Sequence, residues 1–429
     1  MHLQPLTRLQ VTDGLLLTAE RWRQAHHYHR QRQNVHYQSL HQPGIVGGLK
    51  VTVIPAPEQF AAQFRDRRWV RIQPGIAIDA IGNPIIVPEP IDYRLASEAP
   101  PTGTTMIYLV ISYVDPDRLH RSEEPEIVQE TFRIDEKTTP PDSLEVELCR
   151  IVIQAGEVSL EANPNVFDPG INHLDLRHRE FAQARPLGNV RVGLVASEDL
   201  PGVNPEPWQA LRRSLPALYP SLGTDAIAPL PLHESTEISS YHLLVLATSQ
   251  LNALADFQLE LLKQYLNLGG VLLIQRDSEI HRYAQLAIVR QELHQTLTKL
   301  RQTQQLPAEQ QELEAELQAT EIALAEEIAA IANPIKTFAQ QLEIDVSGEG
   351  NCDRHHPLRN TPFPFAQFPI IQGIPTHFQT WGGILLQIGS LSQAWTTDAS
   401  LSLPRETLRS AQEMGINLLH YAWRRREMS

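Results

Sequence analysis

The sequence predicts a multidomain protein of mixed α+β and α/β class. A helix and a small antiparallel β domain come first, and a doubly wound parallel-sheet domain interrupted by an antiparallel helical hairpin follows. Short β-branched runs between Pro and Gly turns predict the first part, and apolar strands alternating with helical patterns predict the second. We place the N-terminal helix and β-rich assembly domain at 1–162, a linker at 163–188, the α/β domain at 189–429 and the inserted hairpin at 282–332.

Composition excludes several classes of function. The net charge of −14 argues against a nucleic-acid partner, because binding to phosphates needs a basic surface. Two cysteines fit a reducing compartment and exclude a disulfide scaffold. No apolar run approaches the roughly 20 residues of a membrane span, and no signal-peptide core is present. We therefore expect a cytoplasmic protein without direct membrane insertion.

The stretch Leu15–Val51 predicts a long polar helix, with Thr18 as its N-cap and Pro43-Gly44 as its stop, followed by a short strand. The helix has many aromatic residues and almost no aliphatic ones, which is not typical of a core helix. Tyr, Trp, His and Arg suit subunit contacts because they combine area with hydrogen bonding. The predicted interface residues of this helix are Trp22, His26, Tyr28, His29, Arg30 and Tyr37.

The histidines of this helix also allow a metal site. His26 and His29 are three residues apart and therefore share a helix face. No Cys, Asp or Glu joins them on that face, so the site is incomplete. We favour packing at a subunit interface and predict no metal.

The β region and the α/β region have distinct strand patterns. In the first, Gly44–Ile54 predicts one strand, and Trp69–Pro88 predicts a meander of three strands with turns at Pro74-Gly75 and Gly82-Asn83. Further strands are predicted at Met106–Val114, Ile127–Ile134 and Leu144–Ile153. In the second region, strands are predicted at 189–196, 241–248, 271–275 and 381–388, and helices at 205–218, 255–268 and 406–423.

The hairpin has an apolar stripe on each arm with alternating three- and four-residue spacing. Such stripes predict two arms that pack against each other, with charged outer faces. Packing against its own domain and holding a neighbouring subunit are both compatible with this pattern. If the hairpin is a docking arm, its predicted interface residues are Leu293, Leu317 and Leu324.

Five segments of the C-terminal region resemble uncharacterised α/β domains with a glutamine-amidotransferase-like (flavodoxin-like) fold: YHLLVLAT, NLGGVLLI, His356-Pro357-Leu358, GGILLQIGSLSQAW and MGINLLHYAW. An amidotransferase needs a cysteine on a strained elbow after a strand, and here Ser249-Gln250 follows YHLLVLAT. Cys352, beside His355 and His356, is the only candidate for nucleophilic or metal chemistry, and an ordered loop is the simpler interpretation. Phosphate-loop motifs are absent. We predict no enzyme activity, no catalytic residue and no cofactor.

Three N-terminal segments resemble proteins encoded with contractile injection systems, the phage-tail-like particles of bacteria: GLLLTAERW, HYQSLHQPGIVGGLKV and VRIQPGIAIDAIGNPIIVPEP. The resemblance implies a structural subunit in or around the baseplate, present in multiple copies and bound to other baseplate or tail subunits. The join to an α/β domain with a coiled-coil arm favours an extension or cage element, with any membrane association made through partners.

Two other functions remain open. One is a small-ligand-binding or enzymatic α/β domain, in which Ser197, Glu198, Ser249 and the Cys352 loop lie near one crevice at the carboxyl ends of the strands. The other is an adaptor whose hairpin binds a membrane-bound partner.

Overall fold

A computed structural model of the protein describes residues 5–116, 127–156, 158–196, 202–225, 227–233, 236–276, 280–303, 307–348, 350–396 and 403–429. The chain folds as two compact units, Met1–Arg185 and Pro186–Ser429. The first unit combines one helix with antiparallel sheets, and the second combines a largely parallel sheet with helices on both faces. The predicted fold class is confirmed.

The first unit begins with helix α1, Ala19–Leu40. The Thr18 hydroxyl oxygen accepts a hydrogen bond from the Arg21 N–H, as its predicted cap role requires. Ten strands follow: β1 Gly44–Gly48, β2 Val51–Val53, β3 Trp69–Ile72, β4 Gly75–Ile78, β5 Pro84–Val87, β6 Ile91–Arg94, β7 Thr104–Val114, β8 Thr131–Lys137, β9 Glu145–Gln154 and β10 Leu174–Asp175.

These strands form three sheets, ordered β1-β4-β5, β2-β3-β6 and β10-β9-β7-β8. The sheets share one apolar core, in which Ile45, Val70, Leu109 and Leu148 are fully buried. The long strand β7 is central, as predicted for Met106–Val114. Strand β8 begins at Thr131, so residues 127–130 precede it instead of belonging to the strand.

Two predictions for the β region are wrong. The stretch Gly44–Ile54 is two strands in different sheets, because Gly48 and Leu49 take positive φ angles of 71° and 53° and break the extended backbone. The three strands of Trp69–Pro88 exist but do not form a meander. Strand β3 pairs with β2 and β6, while β4 pairs with both β5 and β1.

Part of the segment predicted as a linker is structured within the first unit. Strand β10 pairs with β9. Further along, the Ile45 N–H donates to the Glu180 carbonyl at 2.8 Å, and the Ala182 N–H donates to the Ile45 carbonyl at 2.9 Å. These backbone bonds hold residues 180–182 beside β1, so the chain leaves the unit only after Arg185.

The second unit contains strands and helices in alternation. Its elements are β11 Gly188–Val190, β12 Val192–Ala196, α2 Pro205–Leu218, β13 Leu222–Thr224, β14 Ala228–Pro231, β15 Leu243–Ala247, α3 Asp256–Asn267, β16 Val271–Arg276, α4 His281–Thr303, α5 Pro307–Gln341, α6 Pro357–Asn360, β17 Ile370–Ile371, β18 Ile374–Pro375, β19 His377–Trp381, β20 Ile384–Ile388 and α7 Arg405–Glu427.

The main sheet has the order β14-β12-β15-β16-β20-β19, and only β19 runs antiparallel to its neighbour. Helices α2 and α7 cover one face, where Trp208 and Trp395 meet edge to face at 4.9 Å. Helices α3, α4 and α5 cover the other face. Burial on both faces explains the continuous apolar runs of these strands.

Two segments of this unit differ from their predicted limits. The stretch 381–388, predicted as one strand, contains the end of β19, a turn and β20, because Gly382-Gly383 turns β19 back onto β20. The second arm of the helical hairpin continues nine residues beyond the predicted end at residue 332, through Pro334 to Gln341. Its last turns bury Ile335 and Phe338 against the sheet, and this packing extends the helix.

Asn417 of α7 fixes an irregular loop to the core. Its side chain is 0% exposed; Oδ1 accepts from the Phe363 N–H at 2.9 Å, and Nδ2 donates to the carbonyl oxygens of Leu358 at 2.9 Å and Phe363 at 2.7 Å. Because all three partners are backbone groups, the amide replaces hydrogen bonds that regular secondary structure would supply.

We expect Asn417→Ala to lower the free energy of unfolding of the second unit by about 3 kcal/mol, because it leaves buried backbone groups without partners. Urea unfolding followed by tryptophan fluorescence measures this. Asn267→Ala, at an exposed position on α3, is the matched control and should change stability by less than about 0.5 kcal/mol. Equal midpoints for the two variants would contradict the assigned role.

Candidate functional site

Helix α1 is held against the first unit by one face only. Arg30 Nη1 donates to Asp115 Oδ1 at 3.0 Å. One turn further on, the side-chain amides of Asn34 and Asn83 hydrogen-bond at 2.8 Å, and Gln38 Nε2 donates to the Ile81 carbonyl. Polar contacts thus hold α1 in place, whereas an ordinary surface helix is held by burial of an apolar stripe.

The turn that receives α1 is built by a buried carboxylate. Asp79 is 3% exposed, and its Oδ1 accepts from the backbone N–H groups of Ile81 at 2.9 Å and Asn83 at 2.8 Å. Burial raises the pKa of Asp79, and the hydrogen bonds from Asn83 and Ile81 oppose that rise. Gly82 has φ +90°, and a Cβ there would lie 2.5 Å from the Asn34 carbonyl oxygen. The helix can approach this closely only because residue 82 is glycine.

The opposite face of α1 is exposed. Its residues follow a four-three-four-three-four spacing, which places them on one side of a helix with 3.6 residues per turn. Trp22 is 57% exposed and Leu40 is 49% exposed. Trp22 and His26 stack edge to face at 5.4 Å. We call this surface the α1 stripe; it consists of Trp22, His26, His29, Gln33, His36 and Leu40.

The predicted interface residues of α1 therefore divide into two groups. Trp22, His26 and His29 belong to the α1 stripe. Tyr28, Arg30 and Tyr37 are half-buried, and Arg30 is engaged by Asp115. Sequence reasoning overlooked Gln33, His36 and Leu40 as members of the stripe, although their spacing from Trp22 was readable in the sequence.

The predicted interface leucines of the hairpin lie inward. Leu293 is 8% exposed and Leu324 is 7% exposed, and Leu317 is half-buried. The two arms face each other, and pairs such as Arg301–Glu314 at 2.8 Å join them across the solvent side. The surface that the hairpin offers is charged, with Ile288, Val289 and Ile322 also exposed on it. Leu293 and Leu324 have little area left for a partner.

A polar cavity of about 480 Å³ lies at the carboxyl ends of the parallel strands. Its lining includes Ser249, Thr248 and Arg276. Arg276 Nη1 lies 3.5 Å from Thr248 Oγ1. The predicted Ser197 and Glu198 lie outside the described residues. Cys352 is not among the described lining residues, so the structure does not place it with Ser249 in this cavity.

Cys352 is packed in the apolar core of the second unit and is 6% exposed. Burial raises the pKa of its thiol to about 12. His356 accepts the Leu358 N–H at Nδ1, 3.2 Å away, as the cap of α6, and burial lowers its pKa. His355 is exposed. The loop therefore provides no thiolate and no histidine poised to generate one.

Among the residues that the structure describes, no three His, Cys, Asp or Glu side chains are grouped so as to hold a metal ion. Within the same residues, no helix is long and apolar enough to cross a membrane.

We expect neither cysteine of the native protein to react readily with a thiol reagent at pH 8. Cys149 and Cys352 are both buried, and burial raises the pKa of each thiol to about 12. Titration with Ellman's reagent measures this. Both thiols should react after unfolding in guanidinium chloride, which serves as the control. Fast stoichiometric reaction of a native thiol would contradict the buried, protonated state.

Comparisons with known proteins leave the family open. No family model matches the chain, and no curated protein matches it. Among solved structures, the chain is similar to the crystal structure of TssK with a TM-score of 0.25 and 11% sequence identity, over 86% of this chain and 66% of that chain. The chain thus spans just under two thirds of TssK. A likeness at this level establishes neither family nor function.

Proposed function

We propose that this protein is a non-enzymatic structural subunit of a contractile injection system. In this proposal it acts in or around the baseplate, as an extension or cage element, through contacts with other baseplate or tail subunits. The observation that carries the proposal is the α1 stripe: a helix anchored by polar contacts along one face displays an exposed row of one tryptophan, three histidines, a glutamine and a leucine along another. The type of particle is inferred from the resemblance of the three N-terminal segments to proteins encoded with contractile injection systems.

The chemistry of the stripe suits a protein partner. Trp22 offers a large, rigid, amphipathic surface, the kind of side chain that contributes most to interface energies. The three histidines add ring area and hydrogen-bonding nitrogen atoms. The three-and-four spacing matches the ridge that one helix packs into the groove of another, so a helix of a neighbouring subunit is the expected counterpart.

The charged hairpin adds a second contact surface in this proposal. Because the apolar stripes of its arms satisfy each other, the hairpin needs no partner for its own stability. Its exposed pairs, Arg290–Glu321 at 3.3 Å and Arg301–Glu314 at 2.8 Å, contribute little to stability at the surface. They offer charges of both signs to a polar neighbour, which favours orientation and specificity more than affinity.

The α1 stripe can be tested by a double substitution. We expect Trp22→Ser with His29→Ser to reduce incorporation into purified sheath-containing particles about tenfold or more, because exposed aromatic anchors carry much of an interface's energy. Quantitative mass spectrometry of the particles measures incorporation, with the variant as the only copy in the cell.

Arg23→Ser with Arg32→Ser is the matched control, since both arginines are exposed on α1 outside the stripe. Both double variants should melt at the temperature of the wild type. Full incorporation of the Trp22/His29 variant would reject the stripe as the contact. Particles of a deletion strain with unchanged baseplate density and protein inventory would reject the proposed function itself.

The hairpin is tested by removing its distal part. We expect replacement of residues 298–315 by a short Gly-Ser linker to leave the second unit folded, because the base of the hairpin, which packs in the apolar core, remains. Particles should then contain the variant at lower occupancy. Full occupancy with an unchanged protein inventory would show that the distal hairpin makes no required contact.

A further inference from the structure

A cavity of about 630 Å³ lies in the second unit where the helical hairpin meets the sheet. Its walls come from α4, from α5, and from the segment that leads into β19. A volume of this size is within the range of pockets that hold small organic ligands. The lining residues that determine its chemistry are Arg290, Arg359, Thr376, His377, Phe368 and Leu324.

The described lining has a positive charge in a chain whose net charge is −14. Arg290 and Arg359 contribute guanidinium groups, and none of the described lining residues is an Asp or Glu. Arg359 is fixed in place: its Nε donates to the Phe365 carbonyl at 2.8 Å, and its guanidinium lies 5.0 Å from the centre of the Phe368 ring. Arg290 reaches Glu321 at 3.3 Å and is 43% exposed. Glu321, which is not among the described lining residues, also reaches His294 at 3.6 Å, so a negatively charged occupant would replace its carboxylate as the partner of Arg290.

Two buried polar atoms of lining residues have no hydrogen-bond partner among the described residues. They are the hydroxyl oxygen of Thr376, a residue that is 3% exposed, and Nε2 of His377. Burial lowers the pKa of His377 to about 4, so its ring is neutral at neutral pH. A buried polar group without a partner is costly, and native proteins seldom retain one without a ligand or water to satisfy it.

The remaining wall is apolar and held rigidly. Leu324 is 7% exposed and Ala287 is 3% exposed. The hydroxyl of Tyr283 donates to the Pro375 carbonyl at 2.7 Å, which ties α4 to the segment before β19. Phe368 packs on Phe378 of the core, with 5.2 Å between the ring centres. The cavity thus combines an aromatic and aliphatic surface with a cationic, hydrogen-bonding end.

We propose that this cavity is a binding site for a small organic anion, in which a carboxylate or phosphate head group lies beside Arg290 and the Thr376–His377 end while an apolar body contacts Phe368 and Leu324. The occupant would contact α4, α5 and β19 together. Because it binds only the folded arrangement of these elements, it stabilises the base of the hairpin on the sheet.

The probe for this site is 8-anilinonaphthalene-1-sulfonate, an aromatic anion that fluoresces in apolar surroundings. We expect the full-length protein to bind one saturable equivalent. Arg290→Gln should weaken that binding about tenfold, as loss of a charge-assisted hydrogen bond requires. Arg282→Gln is the matched control: Arg282 also lies on α4 and pairs with Glu327 on α5, but it is not among the described residues of the lining. Equal weakening by both substitutions, or by neither, would overturn the proposal.

Two further variants separate the site from adventitious probe binding on the surface. Ile370→Trp, at a lining position that is 36% exposed, should abolish the saturable component by filling the mouth of the cavity. Thr376→Val should weaken probe binding several-fold without lowering the melting temperature of the unliganded protein, because it removes a hydroxyl that has no partner. Unchanged binding in Ile370→Trp, or a lowered melting temperature with unchanged binding in Thr376→Val, would overturn the assignment.

Competition identifies the head group. Displacement of the probe by octanoate indicates a carboxylate ligand, and displacement by adenosine monophosphate indicates a phosphate ligand. Failure of both to displace it from the wild-type protein would overturn the proposed ligand class.

Discussion

Burial of both faces of the six-stranded sheet is the constraint on which the second unit depends. A sheet whose strands are apolar on both sides needs a helical layer on each, and α2 with α7 supplies one layer while α3 supplies only part of the other. The base of the hairpin completes the second layer. This explains why α5 does not stop at residue 332: Ile335 and Phe338 are needed to cover β16 and β20.

The same constraint generates the cavity beneath the hairpin. Helix α4 leaves the sheet to pair with α5, and the segment before β19 closes the gap only partly. Apolar side chains line part of the gap, but its other end is lined by polar residues, including Thr376 and His377, and this end is not filled by apolar side chains. Because the helical hairpin both covers the sheet and projects from it, it leaves space at its own base.

In the first unit, polar contacts hold a helix that hydrophobic burial cannot hold. Helix α1 has almost no aliphatic side chains, so hydrophobic burial cannot hold it. Asn34, Gln38 and Arg30 bind it instead to the turn built by Asp79 and to Asp115. A helix fixed in this way retains its aromatic face for another surface, which links the structure of the unit to the proposed role as an assembly subunit.

Much of the architecture was determined by the sequence itself, because the signals involved are local. Thr18 caps α1, Asn204 and Pro205 begin α2, and the period of the apolar residues separates strands from helices. Only the tertiary structure decided which strands pair: β3 and β4 are consecutive yet belong to different sheets, and positive φ angles at Gly48 and Leu49 divide a run that reads as one strand. The Gly382-Gly383 hairpin was local and readable in the sequence but was overlooked.

Cys352 shows most clearly what the sequence alone could not decide. Its neighbouring histidines suggested chemistry, whereas burial, a property of the whole fold, keeps its thiol protonated. Likewise, the lining of the hairpin cavity comes from segments up to about 90 residues apart, which no periodicity or short motif connects.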